Sequence, residues 1–176
     1  MPYNNQPKNI TPAEALARLE ALCSRSEQST FDVKARMRRW HIAPENIEKI
    51  VRRLRKNRYI DDARFASAFV NDKVRLSRWG IVKVRLQLAA RKIDSNSIED
   101  AIAEIDSDEY EQIALDVISQ RIRLLSLTDS PENRRKIYSY CIGRGFETSI
   151  MARMVKNPAI WLNENDGDED GIENEN

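Results

Sequence analysis

The side chains best suited to chemistry in this chain are a pair of carboxylates and a scatter of cations, not a recognisable catalytic set. Asp61 and Asp62 stand together ahead of Phe65 and Phe69, and adjacent carboxylates can serve as acid and base. Their position before an apolar run at helical spacing fits an N-cap and a first-turn anion beside the helix dipole better. His41 is the one histidine, set between Trp40 and Ile42 at an expected turn, with no partner for metal binding or base catalysis. Cys23 and Cys141 are far apart in sequence, and Cys141 falls on an apolar stripe where packing explains it. No His-Glu-x-x-His, Cys-x-x-Cys or glycine-rich phosphate loop is present. The expectation is no catalytic residue, no metal, no cofactor and no enzyme.

Cations are the more informative groups. The 176 residues hold 29 Lys and Arg against 28 Asp and Glu, and the near-neutral total conceals a division. Residues 1–60 carry 13 bases and 6 acids, residues 61–158 carry 16 and 15, and residues 159–176 carry seven acids and no base. Residues 31–92 are the basic centre, with 18 bases against 6 acids. Such a surplus attracts phosphates or an acidic protein surface, although a solvated helix face has the same composition. The candidate contacts are Arg36, Arg39, Lys49, Arg52, Arg53, Lys56, Arg75, Arg78, Lys83 and Arg91. Guanidinium groups among them can grip carboxylate or phosphate in a bidentate manner. Trp79, beside Arg78, could stack on a base or be buried between helices.

Helices must position these groups. Five Gly and six Pro in the whole chain argue against a turn-rich β-fold, and no apolar run reaches the roughly 18 residues of a membrane span. Thr11-Pro12, Ser29-Thr30 and Pro44 open helix-period runs, the last with Ile47, Ile50, Val51 and Leu54 inward. Asp61 opens a run with Phe65, Ala68 and Phe69 inward, and later runs follow Gly80, Ser130-Pro131 and the stretch before Ile98. Ile42–Ile47, Ile93–Ile98 and Phe146–Met151 share one pattern, an apolar residue, a polar cap-like segment and a new apolar run, spaced 51 and 53 residues apart. That period predicts an all-α tandem array of three three-helix repeats, elongated and mildly curved, at 11–60, 61–105 and 106–157. Residues 1–10 and the acidic tail 158–176 are expected to be disordered. The tail could fold back over the basic units or simply aid solubility.

The stretch Tyr59-Ile60-Asp61-Asp62-Ala63-Arg64-Phe65-Ala66-Ser67-Ala68-Phe69-Val70 resembles the signature of the RecX family of recombination regulators. Gly80, Val84, Leu86 and Ile93 fit its continuation, and the resemblance covers roughly residues 11–156. The family often has Gly where this chain has His41, Arg58 and Lys92, while Gly145 is kept, which bears on helix C-caps.

The resemblance implies a non-enzymatic protein that binds the RecA filament on DNA and inhibits recombinase, ATPase and co-protease activities. It implies a role in DNA repair, recombination and the SOS response, with DNA met through the filament or weakly and directly. Two other readings stay open, an autonomous DNA-binding helical protein acting without RecA and a helical scaffold for another acidic protein. A monomer in the cytoplasm, with no membrane contact, is expected: the first residues resemble no signal peptide, and two cysteines make no disulfide framework.

Overall fold

The structure, a computed structural model, describes residues 10–162. Every regular element among them is helical, as expected. The order is α1 (Pro12–Cys23), α2 (Thr30–Arg39), α3 (Pro44–Lys56), α4 (Asp62–Asn71), α5 (Ile81–Ala90), α6 (Ser95–Ala103), α7 (Ser107–Leu124), α8 (Pro131–Gly143) and α9 (Thr148–Met154). A π-helical turn, Asp72–Leu76, continues α4, and a 3-10 turn, Pro158–Trp161, follows α9. No helix among the described residues is long and apolar enough to cross a membrane.

Local sequence explains most helix starts. Thr11 and Glu14 form a reciprocal capping box ahead of Pro12 at the first helical position. Ser29, Asp94, Asp106 and Ser130 each accept a first-turn backbone N–H, and Asp61 accepts those of Ala63 and Arg64 at 2.9 and 3.1 Å.

The helix ends share a different device. His41, Arg58, Lys92 and Gly145 have φ of 57°, 58°, 59° and 91°, the left-handed region that favours glycine. The next residue in each case, Ile42, Tyr59, Ile93 or Phe146, donates its N–H to the carbonyl five residues back. This is the Schellman closure, and three of the four following side chains are buried. The recurring motif at 41, 92 and 145 accounts for the sequence period.

Contacts divide the chain into two compact units. The first takes the described residues of Met1–Val70 and Leu86–Glu104, the second those of Asn71–Arg85 and Ile105–Asn176. This division cuts through the second of the expected repeats. Within the second unit the reason is backbone contact: Gly80 N–H donates to the Arg144 carbonyl and Val82 N–H to that of Gly145, both at 3.0 Å. The first unit has a core of Ala15, Leu19, Val33, Met37, Leu54 and their neighbours. Fully excluding a side chain such as Leu54 contributes about 1.5–3 kcal/mol. The second unit buries Tyr110, Ile118, Ile137, Cys141, Phe146 and Met151.

Three expectations need correction. Ala68 is exposed, because the buried stripe of α4 is centred on Phe65 and Ala66. Leu125, the last apolar position of the helix-period run that Tyr110 begins in the sequence, is exposed at the C-cap of α7. Disorder from residue 158 does not hold for Pro158–Trp161, where Trp161 is buried and its indole N–H donates to the Val155 carbonyl at 3.1 Å. The rest of the two segments expected to be disordered, 1–9 and 163–176, lies outside the described residues.

Candidate partner and nucleic-acid interface

In the first unit, α3 separates its residues by function. Ile47, Ile50, Val51 and Leu54 are buried. With about 100° between successive residues, Lys49, Arg52, Arg53 and Lys56 fall on the opposite side. All four are exposed, and none has an ion pair among the described residues. The charges on the flanks are engaged instead: Lys34 Nζ lies 2.7 Å from Glu48, and Arg55 Nη2 lies 3.1 Å from Asp62. The hydrogen bond from Lys34 holds the Glu48 carboxyl below its ordinary range, with smaller help from the charges of Lys34, Arg52 and Arg38. The result is a stripe of four cations whose spacings of three and four residues repel by a few tenths of a kcal/mol per pair. An approaching anion relieves that repulsion.

On α2, Arg39 is exposed, and Arg36 is half-buried in a shallow groove beside Arg18, Leu22, Arg25 and Trp40. Arg91 is the remaining candidate in this unit, and it is occupied. Its Nε lies 3.2 Å from Asp32 Oδ2, its Nη1 donates to the Gln87 carbonyl at 2.9 Å, and its guanidinium sits 5.2 Å from the Phe69 ring centre. Arg91 fastens helices together and has little left to offer a partner.

The second unit treats its candidates in the same way. Arg75 makes two bonds to Glu109, of 2.6 and 2.8 Å, which lower the Glu109 pKa below its ordinary value. Arg78 lies 2.9 Å from Asp116, whose carboxyl is held down first by that bond and then by Gln112. The Lys83 ammonium rests 4.0 Å from the Trp79 ring centre and that of Lys73 5.5 Å away. Trp79 is half-buried between cations, so a stacking base would have to displace them.

Asp61 and Asp62 have roles in helix starts, as their sequence position suggests. Among the described residues no cluster of three His, Cys, Asp or Glu could hold a metal ion. A basic groove in the third set of helices escaped the sequence reading. Arg121, Arg135 and Lys136 line it with Leu125, Glu132 and Tyr140. Its signal was the run Arg134-Arg135-Lys136, hidden because the charge of residues 61–158 nearly cancels.

Residues 61–102, which span α4 to α6, match the family model described as RecX, second three-helix domain. The chain resembles the RecX family. The likeness extends beyond it. The chain is 25% identical over 142 residues to the regulatory protein RecX of Haemophilus influenzae (strain PittEE), covering 80% of this chain and 92% of that one. It is 26% identical over 129 residues to the regulatory protein RecX of Prosthecochloris aestuarii, covering 73% and 83%. A crystal structure of regulatory protein RecX superposes with a TM-score of 0.72 at 21% identity, over 82% of this chain and 71% of that one. RecX from Lactobacillus salivarius gives 0.71 at 20% identity, over 85% and 97%. At those identities the structures establish the all-helical RecX fold.

Proposed function

We propose that this chain regulates RecA by binding the RecA–DNA filament, and that the α3 stripe of Lys49, Arg52, Arg53 and Lys56 is its principal contact. The observation that carries this reading is the contrast among cations: those of the stripe are exposed and without ion pairs, whereas Arg75, Arg78 and Arg91 are held by Glu109, Asp116 and Asp32. A filament on DNA offers phosphates and carboxylates in a regular array, and unpaired cations gain most from meeting them. The name regulatory protein RecX, carried by the similar chains, supports a regulatory role over a catalytic one. In this reading the protein acts as a cytoplasmic monomer in DNA repair, recombination and the SOS response. It lowers RecA's recombinase, ATPase and co-protease activities without chemistry of its own.

Sedimentation with RecA filaments formed on poly(dT) tests the contact. The unaltered chain is expected to pellet with the filaments. Arg52→Glu with Arg53→Glu should leave the helical circular dichroism unchanged and keep the protein in the supernatant. Equal pelleting of the two would show that α3 is not the contact. Pelleting with poly(dT) alone, to the same extent as with filaments, would favour the autonomous DNA-binding reading.

A further inference from the structure

The groove lined by α7 and α8, within the second unit, is a second basic surface. Between Arg121 and Lys136 the chain carries five cations, Arg121, Arg123, Arg134, Arg135 and Lys136, against two acids. Arg134 is taken up by Asp129. Lys136 is 2.8 Å from Glu132, but both side chains are more than half exposed, and such a pair exchanges readily for another anion. Arg121 and Arg135 have no ion pair among the described residues. The groove therefore presents uncompensated positive charge.

Its form selects among anions. A single-stranded nucleic acid is held by open aromatic faces as well as by charge. Here Tyr140, the groove's aromatic ring, already carries the Arg121 guanidinium 4.6 Å from its centre and that of Arg144 at 5.8 Å. Carboxylates need only the guanidinium edges and the ammonium, together with apolar contact such as that of Leu125.

The chain holds such a ligand itself. Residues 163–176 contain seven carboxylates and no base. They follow Trp161, which is buried in a 3-10 turn packed on α7, the helix that supplies Arg121. Fourteen residues can span up to roughly 50 Å, whereas the 13 residues of α8 are about 20 Å long. Reach is therefore ample. A tethered segment also meets its site at an effective concentration in the millimolar range, which offsets weak individual contacts.

We propose that the acidic segment Glu164–Glu175 docks in the α7–α8 groove on Arg121, Arg135 and Lys136. The test uses the full chain and a variant in which Glu164, Glu169, Glu173 and Glu175 become Gln and Asp166, Asp168 and Asp170 become Asn. Amide and arginine Nε resonances of the two are compared by NMR at low salt and at about 0.5 M salt, where screening is nearly complete. The expected result is a low-salt shift difference at Arg121, Arg135, Lys136 and Tyr140 that vanishes in high salt. No difference there, or a difference confined to Lys49–Lys56, would overturn the proposal. So would signals in the groove that ignore the tail substitutions and respond only to an added 14-nucleotide oligothymidylate, which would make it a nucleic-acid site.

Discussion

Asp62 Oδ1 accepts the backbone N–H of Thr30 at 2.7 Å, across 32 residues of sequence. Its other oxygen lies 3.1 Å from Arg55 Nη2, and Arg55 Nη2 also reaches the Thr30 hydroxyl at 3.1 Å. One carboxylate thus satisfies an orphan donor at the start of α2 and gathers α2, α3 and α4 at one point. That point sits below the last turn of α3, so it helps to fix the helix that carries the proposed contact stripe.

Asp62→Ala is expected to destabilise the fold by about 1–2 kcal/mol, the usual effect of losing a helix cap and a charged hydrogen bond. Asp62→Asn, which keeps an acceptor for Thr30, should cost less. Urea unfolding followed by circular dichroism measures both. Equal stability of Asp62→Ala and the unaltered chain would remove Asp62 from this role.

The two glycines Gly80 and Gly143 should respond in opposite ways. A Cβ at Gly80 would lie 2.0 Å from the carbonyl carbon and oxygen of Gly145 and 2.1 Å from Phe146 N, all of them backbone. Gly80→Ala must therefore separate two chain segments, with an expected loss above about 3 kcal/mol. A Cβ at Gly143 meets nothing within 4 Å, at the last position of α8. Gly143→Ala should be neutral or raise stability by up to about 1 kcal/mol. A thermal melt of each variant decides, and a harmless Gly80→Ala would refute the close approach.

These two features mark the limit of what the sequence made legible. Caps at Thr11 and Asp61 could be read because an N-cap acts on its own next turn. The left-handed positions at His41, Arg58 and Lys92 were legible as places where Gly would ease a helix end. The α3 stripe was legible because its neighbours lie three and four residues away. Pairing across helices was not. Glu109 lies 34 residues from Arg75, and Asp32 lies 59 residues from Arg91, so nothing local showed that these cations are already engaged. The approach of Gly80 to Gly145 was hidden for the same reason.

Cys141 gives the fold a dependence on alkaline pH. It is wholly buried, and burial raises its thiol pKa from 9.0 to about 11, with the charge of Arg144 pulling slightly the other way. The folded state therefore holds the thiol proton more tightly than the unfolded chain. This contribution is complete below pH 9.0 and is lost as pH rises through about 11. Tyr110, also raised by burial and by its bond to Glu147, adds a loss of the same sign at higher pH. Urea midpoints at pH 8 and pH 10 in reductant should differ, with less difference in Cys141→Ala. The same fall in both proteins would show that Cys141 is not responsible.

The central claim is that the chain acts on the RecA filament through a handful of exposed cations. Its most direct test is ATP hydrolysis by the cognate RecA on single-stranded DNA, with this protein added far below the RecA concentration. A fall in the rate at that low ratio is expected, abolished by Arg52→Glu with Arg53→Glu. An unchanged rate at low ratio, with inhibition only when the protein is abundant enough to cover the DNA, would contradict it.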